Sequence, residues 1–419
     1  MPTLETVEKF INSVEQEPHD KVIELFYKKI FMSRIFFSLF TVAILLTFGC
    51  HQKIIGNQKK SAVVITEGKM RCAPQFPIKI GTNLSGWLST SAKNADTPKE
   101  RAEFMKKSDI TWIAEQGFDH VRIPVDEANL YDENGIKLDS SWLLLHELLG
   151  WVKEEEMRAI FDLHNVRVHN FDTEVKTLFN QDTSQMQFLE LWGKLQQELR
   201  QYPVDFLAYE ILNEPWAKDP EDWNELFAEV YKNIRTTEPQ RVIVLGSTNF
   251  SNVSAFPKLD VPARDSNIIL TFHFYEPYIF THYKTTWSVH TNYVGQSEYP
   301  GKAFYIDQAK KQVSKKTLRK MKTHIQYADR NVLDSLIRIA IKRADELQLP
   351  LYCGEFGVFK RGPSPKIRYN WYRDMVDILR TYGIPYANWD YKAQDEFGLR
   401  LEEGLPDKEL IGIMTGKME

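Results

Sequence analysis

From Ile78 onward the chain repeats one pattern: a short apolar run, then an amphipathic stretch with helical spacing. The runs are IKIGTNL (78–84), HVRIPV (120–125), AIFDLH (159–164), FLAYEIL (206–212), RVIVLG (241–246), IILTFH (268–273), LYCGEF (351–356) and YANWD (386–390). Most are continuous rather than alternating, as strands covered on both faces require. Eight such strands separated by helices fit an α/β fold, a closed (β/α)8 TIM barrel. The competing arrangement is an open doubly wound sheet. That fold normally places G-x-G-x-x-G after its first strand, whereas this chain continues as GTNLSGWL. We therefore expect one catalytic domain over residues 77–419, without internal repeats.

Helical patterns fill the gaps. Thr97-Pro98-Lys99-Glu100 has the form of a capping box with Pro at the first helical position, and predicts a helix through about Glu115. Others are predicted near 142–155, 184–201, 221–236, 329–346 and 366–382, with a short one near 407–413. The helix after the fifth strand is poorly marked. The connection from His273 to the helix near 329 is long and rich in Tyr, Trp and Lys. A loop of that length is often functional. Because it follows a strand, a barrel would place it on the catalytic face.

Charge narrows the partners. Lys and Arg number 53 against 57 Asp and Glu, a net charge of -4. This balance gives no basic surface for nucleic acid. Aromatics make up 13% of the chain, with ten Trp; they serve either a large core or flat platforms for sugar rings. The cysteines Cys50, Cys72 and Cys353 match no zinc or redox spacing. Cys353 lies in an apolar strand and reads as a buried inert thiol, with a Cys72–Cys353 disulfide as the alternative.

The first 50 residues read as an N-terminal extension plus a targeting segment. Ile35 to Gly49 is an uncharged apolar run preceded by Lys28, Lys29 and Arg34, the form of a secretory signal. It is short for a membrane span, which needs about 20 residues. Its Gly49-Cys50 end resembles a bacterial lipoprotein signal, although Thr47 and Phe48 depart from that motif. Met32 would begin a conventional signal, which leaves residues 1–31 as either an upstream extension or a misplaced start. The expectation is an exported protein, either secreted or held at the cell surface or in the periplasm by a lipid on Cys50. Residues 51–76 read as a polar tether, and the protein as a monomer.

In barrels, polar residues at the C-terminal ends of strands read as catalytic, and here nearly every strand ends in one. The second carries Arg122. The third ends Asp162-Leu163-His164, and the fourth runs into Asn213-Glu214-Pro215. The sixth ends in His273, followed by Tyr275. The seventh runs into Gly354-Glu355-Phe356-Gly357, and the eighth carries Trp389. Two carboxylates facing each other across the barrel mouth are what glycosidic cleavage needs: one protonates the departing oxygen and the other attacks the anomeric carbon. Each residue also has a structural alternative. Arg122 could be a buried ion-pair partner, His164 and His273 satisfied core histidines, and Trp389 core. Asp162 reads as structural. Metal binding by His164, His169 and His273 lacks any supporting spacing, so neither a metal nor a cofactor is implied.

Ile211-Leu212-Asn213-Glu214-Pro215 and Gly354-Glu355-Phe356-Gly357 resemble the two signatures of glycoside hydrolase family 5, the cellulase family of retaining barrels. Arg122, His164, Asn213, Glu214, His273, Tyr275, Glu355 and Trp389 match its eight characteristic residues, in order, each at the expected strand. GTNLSGWL and GFDHVRIPV also resemble its first two strands, and the resemblance covers about residues 78–413. It implies that Glu214 is the acid/base and Glu355 the nucleophile. Arg122 and Tyr275 would lower the Glu355 pKa, and the Glu355 charge would raise that of Glu214. Asn213 would bind the sugar 2-hydroxyl, Trp389 would lie under the reacting ring, and His164 and His273 would orient hydroxyls or carboxylates.

The function so implied is an endo-β-1,4-glucanase, with β-glucan or a related polysaccharide as substrate. Alternatives on the same fold are an exo-acting β-glucosidase, with the long connection blocking one end of the groove, and a β-mannanase or other β-glucanase. A catalytically inactive carbohydrate-binding protein is the alternative from another class. Asn83, Trp87, Asp126, Glu127, Asn165, Tyr278, His282 and Trp287 are further candidates for lining subsites, Trp87 foremost.

Overall fold

The alternation closes on itself as an eight-stranded parallel barrel. The computed structural model describes residues 71, 73–89, 97–170, 175–262, 265–288, 290–392, 397–401 and 404–417. Its strands are β1 (Ile80–Asn83), β2 (His120–Val125), β3 (Arg158–Leu163), β4 (Leu207–Glu210), β5 (Ile243–Gly246), β6 (Ile268–Phe274), β7 (Leu351–Phe356) and β8 (Tyr386–Asn388). Each pairs in parallel with its sequence neighbours. β1 meets β8 through Ile80↔Tyr386, Gly81↔Ala387 and Thr82↔Asn388, so the barrel sheet has no open edge.

Strand period decides what fills the barrel. Ile160, Ala208, Val244, Ile269, Tyr352 and Ala387 form an interior cluster separate from the larger one under the helices. Ala73 and Phe76, both wholly buried, join that interior cluster. The last residues of the expected 51–76 tether therefore belong to the barrel. The targeting segment with Cys50, residues 51–70 of the tether and Cys72 lie outside the described residues. No described helix is long and apolar enough to cross a membrane. Cys353 is a free, buried thiol, not a disulfide partner.

The helices around the barrel are α1 (Pro98–Phe104), α2 (Lys107–Gln116), α3 (Asp139–Glu154), α4 (Asp182–Leu199), α5 (Pro220–Thr237), α6 (Arg330–Leu347), α7 (Pro365–Thr381) and α8 (Lys408–Thr415). The single helix expected from Pro98 to Glu115 is two. Met105 is extended (φ -111°, ψ 122°), and the Asp109 carboxylate accepts from the Lys106 N–H, restarting the helix. The second start signal sits inside the first helix's pattern, which hid the break. α1 buries none of its residues, so its caps carry it. Thr97→Ala removes the capping acceptor for Glu100 N–H and is expected to cost about 1 kcal/mol locally. Amide exchange over 101–104 should accelerate about fivefold, with exchange in α3 unchanged.

After β5 the chain forms no long helix but a four-residue turn, Thr248–Ser251, and a 3₁₀ helix, Val253–Lys258, with Pro257 inside it. This accounts for the weak signal there. The long connection after β6 is a small structured insertion. It holds short helices at Tyr278–Thr281, Ile306–Gln312 and Lys315–Met321, and a ribbon pairing Gly301–Lys302 with Tyr327–Ala328. Tyr293, Tyr299, Phe304 and Met321 are buried within it and belong to the main hydrophobic core.

Candidate active site

Arg122 organises the mouth of the barrel from β2. All its N–H groups find acceptors. Nε and Nη2 clamp the Glu210 carboxylate (2.7 and 2.9 Å), and Nη2 also reaches Asn213 Oδ1 (2.9 Å). Nη1 donates to Asn83 Oδ1 (2.9 Å) and Glu355 Oε1 (2.7 Å). Asp162 Oδ2 lies 3.0 Å from Nη2 and 2.7 Å from His164 Nδ1. A planar guanidinium suits this sharing, because its donors leave in fixed, divergent directions. The interaction with Asn213 occupies that amide's carbonyl and leaves its NH₂ to donate elsewhere.

Glu355 sits at a local irregularity of β7. The register with β6 slips between Cys353 and Glu355, so that Cys353 pairs with Phe272 and Glu355 with His273. A bulge of this kind re-aims a side chain. Gly354 is needed there, since a Cβ would lie 2.6 Å from Thr271 Oγ1. Glu214 follows β4 in a left-handed conformation, φ 46°. That geometry costs a non-glycine residue about 1 kcal/mol or more and is typical of functional positions.

These two turns bring the acids together. Glu214, His273 and Glu355 each contribute one ligand-type atom to a group lying within 4.8 Å of one another. His273 Nδ1 is 2.8 Å from Glu214 Oε1 and 3.5 Å from Glu355 Oε2. The Tyr275 hydroxyl donates to Glu355 Oε2 at 3.0 Å. Trp389 stacks on His164, with ring centres 5.7 Å apart and planes 13° from parallel. All eight residues expected at the strand ends thus converge on one mouth. The trio could in principle ligate a cation, but the Arg122 guanidinium bonded to Glu355 puts a fixed positive charge beside it, which opposes a divalent ion.

The electrostatics depart from expectation in cause. Burial, not the charge on Glu355, is the main force raising the Glu214 pKa, to about 7; the nearby charges of His164 and Arg122 oppose it and Glu210 reinforces it. Burial raises Glu355 as well, with His273 and Arg122 pulling against it and Glu214 adding to the rise. Arg122 does not hold Glu355 low, because burial outweighs its pull. Burial also pushes Asp162 up to about 7, opposed by Arg122. His273 is driven down to about 4 by burial and is neutral near neutral pH.

Glu210 and Asp162 are the residues that the reading of strand ends missed or undervalued. Both were detectable as acids on inward positions, sharing strand parity with Ala208 and Ile160 of the interior cluster. Asn83, a subsite candidate, is instead wholly buried, holding Arg122 and donating to the Gly354 and Asn388 carbonyls. Trp87 is core, 2% exposed, with its indole N–H on the Arg101 carbonyl. Glu127 is tied to Arg167, and Asn165 donates to Asp126. Tyr278 and His282 stack on each other in the insertion, while Trp287 is 56% exposed beside Phe359.

Removing the cation should be costly. Arg122→Met leaves Glu210 and Asp162 buried without their charge partner and is expected to destabilise the fold by about 3–5 kcal/mol. Urea unfolding measures this. Arg122→Met/Glu210→Gln should lose less than the sum of the two single changes.

The cellulase (glycosyl hydrolase family 5) model matches residues 83–395, well over half of the chain. The chain belongs to glycoside hydrolase family 5. This glycosidase is 30% identical to Endoglucanase C of Acetivibrio thermocellus over 352 residues, covering 80% of this chain and 98% of that protein. It is 26% identical to Cellodextrinase A of Ruminococcus flavefaciens, covering 73% and 82% of the two chains. Among solved structures, a Thermotoga maritima Cel5A in complex with cellobiose superposes with a TM-score of 0.64 at 22% identity, over 80% of this chain and 97% of that one. That likeness concerns the barrel fold. As a cellulase-type glycosidase the protein hydrolyses glycosidic bonds of a polysaccharide.

Proposed function

We propose that this family 5 hydrolase is a retaining endo-β-1,4-glucanase in which Glu355 is the nucleophile and Glu214 the acid/base. The observation carrying this reading is the short separation of the two acids, whose nearest described oxygens lie within 4.8 Å. Inverting enzymes hold their carboxyls about 6.5–9.5 Å apart to admit water, whereas retaining ones keep them about 5 Å apart for direct attack.

Hydrogen bonding separates the roles. Glu355 accepts from the Arg122 guanidinium and from the Tyr275 hydroxyl, bonds that favour its ionised form. Glu214 has neither, pairs with a neutral His273, and holds its proton to about pH 7. In the first step Glu355 attacks the anomeric carbon while the Glu214 proton passes to the departing oxygen. In the second, Glu214 takes a proton from water, whose oxygen attacks the same carbon and releases Glu355. The free NH₂ of Asn213 is suited to the sugar 2-hydroxyl, and the Trp389–His164 stack to lying under the reacting ring.

The polymer class rests on Endoglucanase C, the 30% identical relative. Exo or short-chain action is the second reading, favoured by the structured insertion after β6 and by the relative named a cellodextrinase. Cellulose, lichenan, xyloglucan and mannan, each with product analysis and proton NMR of the first-formed anomer, test both. Internal cleavage giving the β-anomer first is expected. Monosaccharide alone from a long glucan would establish exo action, and the α-anomer first would exclude the double displacement. Export, with a lipid on Cys50 as one mode of retention, is part of the same proposal. Mass analysis of the native N-terminus tests it, since an intact residue 1 or 2 would exclude cleavage.

A further inference from the structure

A nearly balanced total charge conceals an uneven distribution. The insertion after β6, residues 275–328, holds nine Lys and Arg against three acids, a net +6, so the rest of the chain carries -10. Seven of those cations fall within residues 310–322, where there is no acid: Lys310, Lys311, Lys315, Lys316, Arg319, Lys320 and Lys322. All seven are exposed. Among the described residues only Lys310 of this group has an ion-pair partner, Asp307 at 3.0 Å.

The helix Lys315–Met321 turns Leu318 and Met321 toward the core and shows its cations to solvent. Lys315 and Arg319 lie four residues apart, as do Lys316 and Lys320, and like charges at that spacing repel. Lys315 and Lys316 also stand in the first turn, which has no acid, where the helix dipole disfavours positive charge. The fold thus holds together a cationic face that weakens its own helix and that no acid of the insertion relieves.

This face is joined to the mouth of the barrel by a run of rings. Tyr275, the donor to Glu355, packs edge-on against His282 at 5.1 Å; Tyr278 stacks on His282 at 4.1 Å and on His324 at 5.4 Å. His324 follows the basic helix and feels the Lys320 charge. Thr281 O–H donates to the Tyr275 carbonyl at 2.5 Å, fastening the base of the insertion. The incoming N-terminal segment lies at the other end of the barrel, where Arg71 N–H donates to the Gly383 carbonyl and its own carbonyl accepts from Leu351 N–H, at the start of β7. A surface held through that segment would therefore face away from the basic helix.

We propose that the cations of Lys315–Met321 and the residues flanking it form an electrostatic docking surface for a carboxylate-bearing polysaccharide, which they gather beside the catalytic mouth. The inference rests on the β-glucan reading of that mouth; what it adds is that the favoured polymer carries acidic groups, as uronic sugars do. Lysine is a mobile point charge rather than a rigid fork. A row of lysines suits repeated anionic groups along a chain better than one fixed carboxylate, and its pull is long-range and screened by salt.

The test compares Lys316→Gln/Arg319→Gln/Lys320→Gln with the unaltered enzyme on carboxymethyl cellulose and on neutral hydroxyethyl cellulose. Lys153→Gln/Lys232→Gln/Lys366→Gln removes the same charge from exposed positions on α3, α5 and α7 and is the control. At an ionic strength of about 0.01 M the first triple variant should lose about fivefold in kcat/KM on the carboxylated polymer and nothing on the neutral one, and the difference should close at about 1 M. Unchanged hydroxyethyl cellulose kinetics also report an intact fold. Equal losses on both polymers, no loss on the carboxylated one, or the same loss in the control overturn the proposal. So would binding to phosphatidylglycerol vesicles that the triple variant abolishes while its carboxymethyl cellulose kinetics stay unchanged, which would give the face to a lipid surface. If the unaltered enzyme hydrolysed neither polymer, the β-glucan reading would fall instead. The docking face would still be judged by retardation in gels carrying each polymer, where the triple variant should lose retardation only with carboxymethyl cellulose.

Discussion

Glu355→Gln should lower kcat on β-glucan by about 10⁴-fold or more, while the variant still binds the polymer. The change replaces the anionic oxygen assigned to attack the anomeric carbon with an amide of the same size, whose one carbonyl can accept from either Arg122 or Tyr275, the two donors that Glu355 receives on separate oxygens. Affinity electrophoresis on soluble glucan measures the retained binding, and reducing-sugar release the lost turnover. A variant within tenfold of the parent would remove Glu355 from the covalent step. Loss of binding along with turnover would point to a collapsed site, since the amide no longer balances the guanidinium beneath it.

Glu214→Gln should lose about 10²–10⁴-fold on polysaccharide, the usual worth of a positioned proton donor. It should recover much of that on substrates with an activated leaving group, which need no proton to depart. The pH dependence follows from the same carboxyl. On the proposed roles, protonated Glu214 is the competent form for the first step, and burial raises its pKa to about 7. The protonated fraction falls as pH rises through that value, so kcat/KM should decline on the alkaline side with a midpoint near 7. That limb should vanish in Glu214→Gln assayed with an activated leaving group. Persistence of an identical limb would assign it to another group, with Asp162, also raised to about 7, the first to examine.

The barrel was legible because its strands are continuous apolar runs ending in polar residues, a pattern that few other folds need. Part of the site was legible for the same reason, since His164, Glu214 and His273 stand where an apolar run stops; Arg122, Glu355 and Trp389 lie inside their runs and were legible through the family resemblance of the segments that hold them. Glu210 was not, because it lies within the run FLAYEIL and reads there as an interruption. Only the strand parity it shares with Ala208 shows that it faces inward. Asp162 looked structural on similar grounds, yet it joins Arg122 to His164. Trp87 was misread because exposure is a tertiary property: a Trp after a strand suits a subsite or a core equally well, and its burial against the Arg101 carbonyl is invisible locally. The break at Met105 was hidden by a second capping signal lying in phase with the first helix.

The pairing of Glu355 with His273 at the β7 slip, inside a sheet that has no ends, carries a further consequence. The gap between the two acids is held by a hoop of main-chain bonds, so widening it means shearing several ladders together. Rim loops and the insertion can diverge, or be redesigned for a different polymer, without stretching that hoop. Variants selected for new sugars should therefore keep the same anomeric outcome even where their preference has changed completely.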